Sequence, residues 1–230
     1  MRKHFVVLFS FLFSFLSLGG VAAPLGVTHL LPSPYTLPAG AFSYGSSLGY
    51  GLTSFLQVGT NLFQLLNDIP NANAKINIVD LEEWAAALTF DWSKFDLTSI
   101  SGRTVGEVTS YGPGAVLSWG FYETLSWTNG IKLIKRNLTG TELGAEVSGL
   151  FEGTRFMSEL AWLYDEGGEK KEERNPKALA FGISYDVTYE IFGFGLSHHW
   201  PGFQLGFHYY PSADDDKWFP IINGGGTVYF

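Results

Sequence analysis

The chain contains no cysteine, which removes disulfide frameworks, thiolate nucleophiles, lipid-modified N-terminal cysteines and cysteine-built zinc centres from consideration. Charge is scarce as well. Asp, Glu, Lys and Arg make up 16% of the 230 residues, against about 25% in an ordinary soluble domain. Bases are the rarer sign, 14 against 22 acids, for a formal net charge of −8. An acidic surface repels phosphates, so nucleic acid is not an expected partner. Beyond the N-terminus no apolar run reaches the 18 or so residues of a spanning helix. No phosphate-cradling glycine loop and no EF-hand spacing occurs, so neither cofactor nor metal is expected.

Aromatics fill part of the space that charge leaves. They are 17% of the chain, alongside 28 glycines. The start has its own pattern: Arg2 and Lys3, an apolar stretch from Phe5 to Leu18, then Gly19, Gly20, Val21, Ala22 and Ala23. A basic start, a short apolar core and a small-residue exit predict a cleaved signal peptide over residues 1–22. Pro24 disfavours cutting after Ala23, whereas Gly20 and Ala22 suit cutting after Ala22. Cleavage takes the formal charge from −8 to about −10. Residues 23–36 are expected to form an N-terminal segment, and residues 37–230 one β-domain.

The strand period of two runs through that domain. Phe42, Tyr44, Leu48 and Tyr50 alternate with Ser43, Gly45, Ser47 and Gly49. Trp84, Ala86, Leu88, Phe90 and Trp92 share one face, as do Leu179, Phe181, Ile183 and Tyr185 against Ala180, Gly182 and Ser184. The spacing predicts twelve strands, at 37–51, 54–66, 73–81, 83–92, 112–122, 125–136, 140–151, 155–165, 176–186, 189–199, 201–210 and 218–230, with ten as the next choice. Leu62–Asp68 and Leu81–Ala87 are short helical candidates, and 93–111, 166–175 and 211–217 are expected loops. A soluble β-sandwich also alternates. An all-β antiparallel transmembrane barrel is favoured over it, because one face is small and polar rather than charged, and the other is aromatic near segment ends. Tyr50, Trp84, Trp92, Trp119, Trp162 and Tyr185 are the expected membrane-interface aromatics.

On this alternation Lys132, Arg136, Glu142, Glu146, Arg155 and Glu159 point inward, as a pore-lining charge ladder or as ion pairs that fill a narrow lumen. Ser197, His198, His199 and His208 are weighed as a hydrolase site. Adjacent Ser197 and His198 fall on opposite strand faces, His199 can share the face of Ser197, and no acid stands beside them in sequence. No catalytic residue is therefore assigned. Asp214, Asp215 and Asp216 are read as a solvated loop sooner than as a divalent-cation site.

The chain closes with Gly226-Thr227-Val228-Tyr229-Phe230. A terminal Phe ending an amphipathic last strand resembles the C-terminal signature of Gram-negative outer-membrane β-barrels, with Phe230, Val228 and Ile222 at alternate positions. The resemblance implies export to the outer membrane and insertion by the barrel-assembly machinery through the last strand. It also implies contact with outer-membrane lipid and lipopolysaccharide. By size the chain looks like the small monomeric channels for acidic oligosaccharides. A porin-like passive pore or a structural surface protein is the expected function. A lipid-modifying hydrolase and a loop-mediated adhesion or ligand-binding barrel are the alternatives.

Overall fold

A computed structural model of the chain describes residues 32–45, 47–81, 83–98, 104–142, 145–165, 177–188, 190–200, 203–209 and 220–228. The signal-peptide region, the terminal Phe230, the whole 166–175 loop and the Asp214–Asp216 run lie outside them.

The described residues form an antiparallel sheet. Its first half comprises β1 (Phe42–Gly45), β2 (Ser47–Gly51), β3 (Leu56–Asn61), β4 (Asn71–Asp80), β5 (Trp84–Thr98) and β6 (Thr104–Tyr122). Then come β7 (Leu125–Glu142), β8 (Ala145–Asp165), β9 (Lys177–Asp186), β10 (Ile191–Trp200), β11 (Phe203–Tyr209) and β12 (Pro220–Val228). Each strand pairs with the next in sequence, and β1 also pairs with β12, Phe42 opposite Val228 and Gly45 opposite Gly225. One helical turn, α1 (Leu62–Leu66), interrupts the sheet, and the Asn61 side chain caps it by accepting from the Gln64 amide. The all-β antiparallel expectation is borne out.

Several expected boundaries are corrected. The expected 37–51 strand is a hairpin, Phe42 pairing with Tyr50 and Ser43 with Gly49, because Gly45, Ser46 and Ser47 are turn formers within it. The expected strands 140–151 and 155–165 are replaced by one strand, β8, which pairs antiparallel with β7 up to Glu142 opposite Ala145. Gly153 does not break β8, since a glycine keeps its ladder amide and pairs with Ile134. The expected 93–111 loop is largely strand: pairing of β5 with β6 continues from Ser93–Ser110 to Thr98–Thr104. Leu81–Ala87 is not helical, because Trp84 to Ala87 pair with Trp119 to Val116.

The sheet has two chemically distinct faces. The apolar face is exposed: Phe90 keeps 43% of its surface, Trp162 52% and Phe181 53%. The other face carries small and polar side chains and is buried, with Ala85, Ala180, Ser118, Ser126 and Ser197 all nearly inaccessible. A water-soluble sheet has these two environments the other way round. Strands β5 to β8 are 15 to 21 residues long and extend past their neighbours at the end of the sheet away from the Trp84–Trp119 pair.

Candidate functional site: a charged belt between aromatic rows

The apolar face carries two aromatic rows. In the first, Trp84 pairs with Trp119 and Trp119 with Trp127, so indoles of three successive strands stand side by side. The rings of Trp119 and Trp127 stack at 5.8 Å, and Trp127 Nε1 donates to Ser158 Oγ at 2.7 Å. At the same end of the sheet, Trp162, Tyr164, His198, Trp200 and Phe203 form a continuous chain of ring contacts across β8, β10 and β11. The Tyr164 hydroxyl and His198 Nε2 share a hydrogen bond there. His198 thus lies on the apolar face, in ring contact with both Tyr164 and Trp200. The second row is nearer the other end, with Trp92 opposite Tyr111 and Tyr185 opposite both Phe156 and Phe192.

In β5, β6 and β10 the rows are separated by the same interval: Trp84 to Trp92, Tyr111 to Trp119, Phe192 to Trp200. Eight strand residues rise about 27 Å along the strand. The residues between them on that face, such as Ala86, Leu88, Phe90, Ala115 and Leu117, are uncharged. Among the expected interface aromatics, Trp84, Trp92, Trp119, Trp162 and Tyr185 take places in these rows, and Tyr50 lies on the same apolar face in β2.

On the polar face, level with the second row, the register aligns a belt of charge. Asp91 of β5 lies opposite Gly112, Gly114 opposite Lys132, Lys132 opposite Arg155, and Arg155 opposite Asp186. Two bases stand together in the middle, an arrangement that destabilises a sheet unless each finds an acid. Each does. Lys132 Nζ reaches across β6 to Asp91 Oδ2 at 2.6 Å, and Arg155 meets Asp186 Oδ2 at 3.4 Å. Gly112 makes the first reach possible, since a Cβ there would stand 2.8 Å from Lys132 Cε. Lys132 and Asp91 keep 36% and 46% of their side-chain surface, whereas Asp186 keeps 2% and also accepts from the Thr188 amide at 3.1 Å.

Of the expected ladder, Lys132 and Arg155 come together in this belt. Arg136 lies on the same face, opposite Ser110 and Phe151. Glu159 is also on that face but two pleats away, opposite Thr128 and Gly182, and is fully buried. Glu142 takes a register position on the ladder's face, opposite Ala145. Glu146 does not: it stands opposite Thr141, in the alternate row. Merging two expected strands into β8 changes its parity relative to Arg155 and Glu159. The two acids of the belt, Asp91 and Asp186, were not singled out in the sequence, because only register reveals which acid faces which base.

Ser197 and His199 do share the polar face, Ser197 Oγ lying 2.7 Å from His199 Nε2. Ser197 is 2% exposed, so a substrate carbonyl does not reach its hydroxyl in this conformation. Compared with protein-family models, curated proteins and solved structures, the chain matches none of them.

Proposed function

We propose that the chain is a bacterial outer-membrane β-barrel of twelve strands, closed through the β1–β12 seam, that acts as a small passive solute pore. The observation that carries this reading is the inverted sheet: an exposed apolar face banded by two aromatic rows, backed by a face of small and polar side chains. In lipid the apolar face contacts acyl chains and the rows lie at the two headgroup boundaries. Only a closed sheet satisfies every backbone donor and acceptor there. The strands that extend past the second row would project from the outer leaflet, and the opposite end of the sheet, which carries the β2–β3 and β6–β7 connections, would face the periplasm.

The belt Asp91–Lys132–Arg155–Asp186 is then a constriction whose two bases and two acids set ion preference. Its net charge is zero, so weak selectivity is expected of the native protein. Single-channel recording of refolded protein in a planar bilayer tests this. Discrete steps are expected, and Lys132→Glu shifts selectivity toward cations. Folded protein that remains silent, or steps whose selectivity Lys132→Glu leaves unchanged, would remove the belt as the selectivity element. Silence would favour a structural surface protein.

A further inference from the structure

The wall formed by β2, β3 and β4 differs from the rest of the polar face. Where β9 and β10 present Ala, Gly and Ser, this wall presents Gln57, Asn73, Asn77 and Lys75. Three of these bind the main chain of the N-terminal segment. Lys75 Nζ donates to the Ser33 carbonyl and Asn77 Nδ2 to the Pro34 carbonyl, both at 3.0 Å. The Leu37 amide donates to Gln57 Oε1 at 3.0 Å, and Thr36 Oγ1 to the Ser54 carbonyl at 2.6 Å. Glycines form the floor beneath. A Cβ at Gly51 would stand 2.1 Å from the Pro38 carbonyl oxygen, and one at Gly49 would stand 3.4 Å from Leu37 Cδ1. Pro34 is fully buried, though proline is ordinarily a surface residue.

We infer that the polar wall of β2–β4 is a binding site for an extended peptide backbone, and that residues 33–38 of this chain occupy it as a plug in the pore. The inference rests on the reading of the polar face as a lumen. Three of the four contacts join wall side chains to main-chain groups of the segment, two of its carbonyls and one of its amides. This is how an extended peptide is held with little regard to its sequence. Pro34 and Pro38 fix two backbone angles in advance, which lowers the entropy lost when the segment docks. Gly51 lets the backbone of the segment approach, since a Cβ there would also stand 2.7 Å from the Leu37 carbonyl oxygen, while Gly49 leaves room for the Ser43 and Gln57 side chains.

The absence of native cysteine makes the test clean. Asn77→Cys is introduced into the mature chain, and its labelling by a water-soluble maleimide is timed in lipid vesicles. The same cysteine is then timed in two released forms, one lacking residues 33–37 and one carrying Gly51→Val, whose side chain takes the space of the Pro38 carbonyl. Electrophoretic mobility before boiling confirms folding of each. Labelling at least ten-fold faster in the released forms is expected, and a synthetic peptide of residues 32–38 added to the deletion form slows it again. Equal rates in all three forms overturn the plug. Conductance is recorded in parallel so that the two readings can fail separately. Faster labelling without channels keeps the plug and removes the pore, while channels with unchanged labelling keep the pore and remove the plug.

Discussion

Asp186 shows how single residues hold the polar face together. It is buried, takes Arg155 as an ionic partner and caps the following turn through the Thr188 amide. A buried carboxylate with charge-assisted partners contributes more than a neutral one. Asp186→Ala is expected to destabilise the fold by about 1–3 kcal/mol, read from the urea midpoint of the shift in gel mobility. Asp186→Asn, which keeps the acceptor for the amide, should recover part of the loss. Tyr35 in the N-terminal segment gives a second residue-scale test. Burial, with the charge of Asp80 adding to it, pushes its hydroxyl up from the ordinary 10 to about 12. A raised phenol pKa means the folded state prefers the neutral form. That preference is fully present below pH 10 and is lost as pH rises from 10 toward 12. Docking of residues 33–38 should therefore loosen across that window, seen as faster maleimide labelling of Asn77→Cys beyond the reagent's own pH dependence, and Tyr35→Phe should abolish the extra step. At this scale the sequence revealed the bases of the belt by alternation. It concealed their acids, because Asp91 and Asp186 lie far from Lys132 and Arg155 in the chain and meet them only through strand register.

At the scale of the element, β5 carries the argument for the apolar band. Trp84 and Trp92 bracket Leu88, and beyond Trp92 the same face turns to charge: Lys94 pairs with Glu107 at 2.7 Å, as Lys135 does with Glu152 at 3.0 Å one strand pair over. A basic side chain costs roughly 2–4 kcal/mol at a bilayer midplane and about 0–1 kcal/mol near its edges. Leu88→Arg should therefore cost roughly 2–4 kcal/mol of folding stability in lipid vesicles, while Thr109→Arg, on the same face past the second row and opposite Lys94, should cost about 0–1 kcal/mol. Similar losses at both positions would contradict a band centred on Leu88. The strands themselves were largely legible, since alternation survives burial on one face. The failures have local causes. β1 and β2 form a hairpin within a run whose alternation continues unbroken. Gly153 resembles a break and is not one. Lys94 and Asp96 resemble loop residues because they are charged, although both are in the β5–β6 ladder.

For the whole molecule, the two faces must be read together. A sheet that hides Ser118, Glu159 and Ser197 while exposing Phe90, Trp162 and Phe181 suits the apolar surroundings that the proposed membrane setting supplies. The shortage of charge and surplus of aromatics in the composition support the same proposal. The plug was not legible, because residues 32–38 show no periodicity and meet the wall mainly through their own main-chain groups. The measurement that bears most directly on the account is tryptophan fluorescence of the refolded protein in vesicles whose acyl chains carry bromine. If the rows of Trp84, Trp119, Trp127, Trp162 and Trp200 lie against lipid, brominated chains should quench most of the emission and aqueous iodide little of it. Emission quenched by iodide and indifferent to brominated lipid would contradict the placement of the apolar face in a membrane.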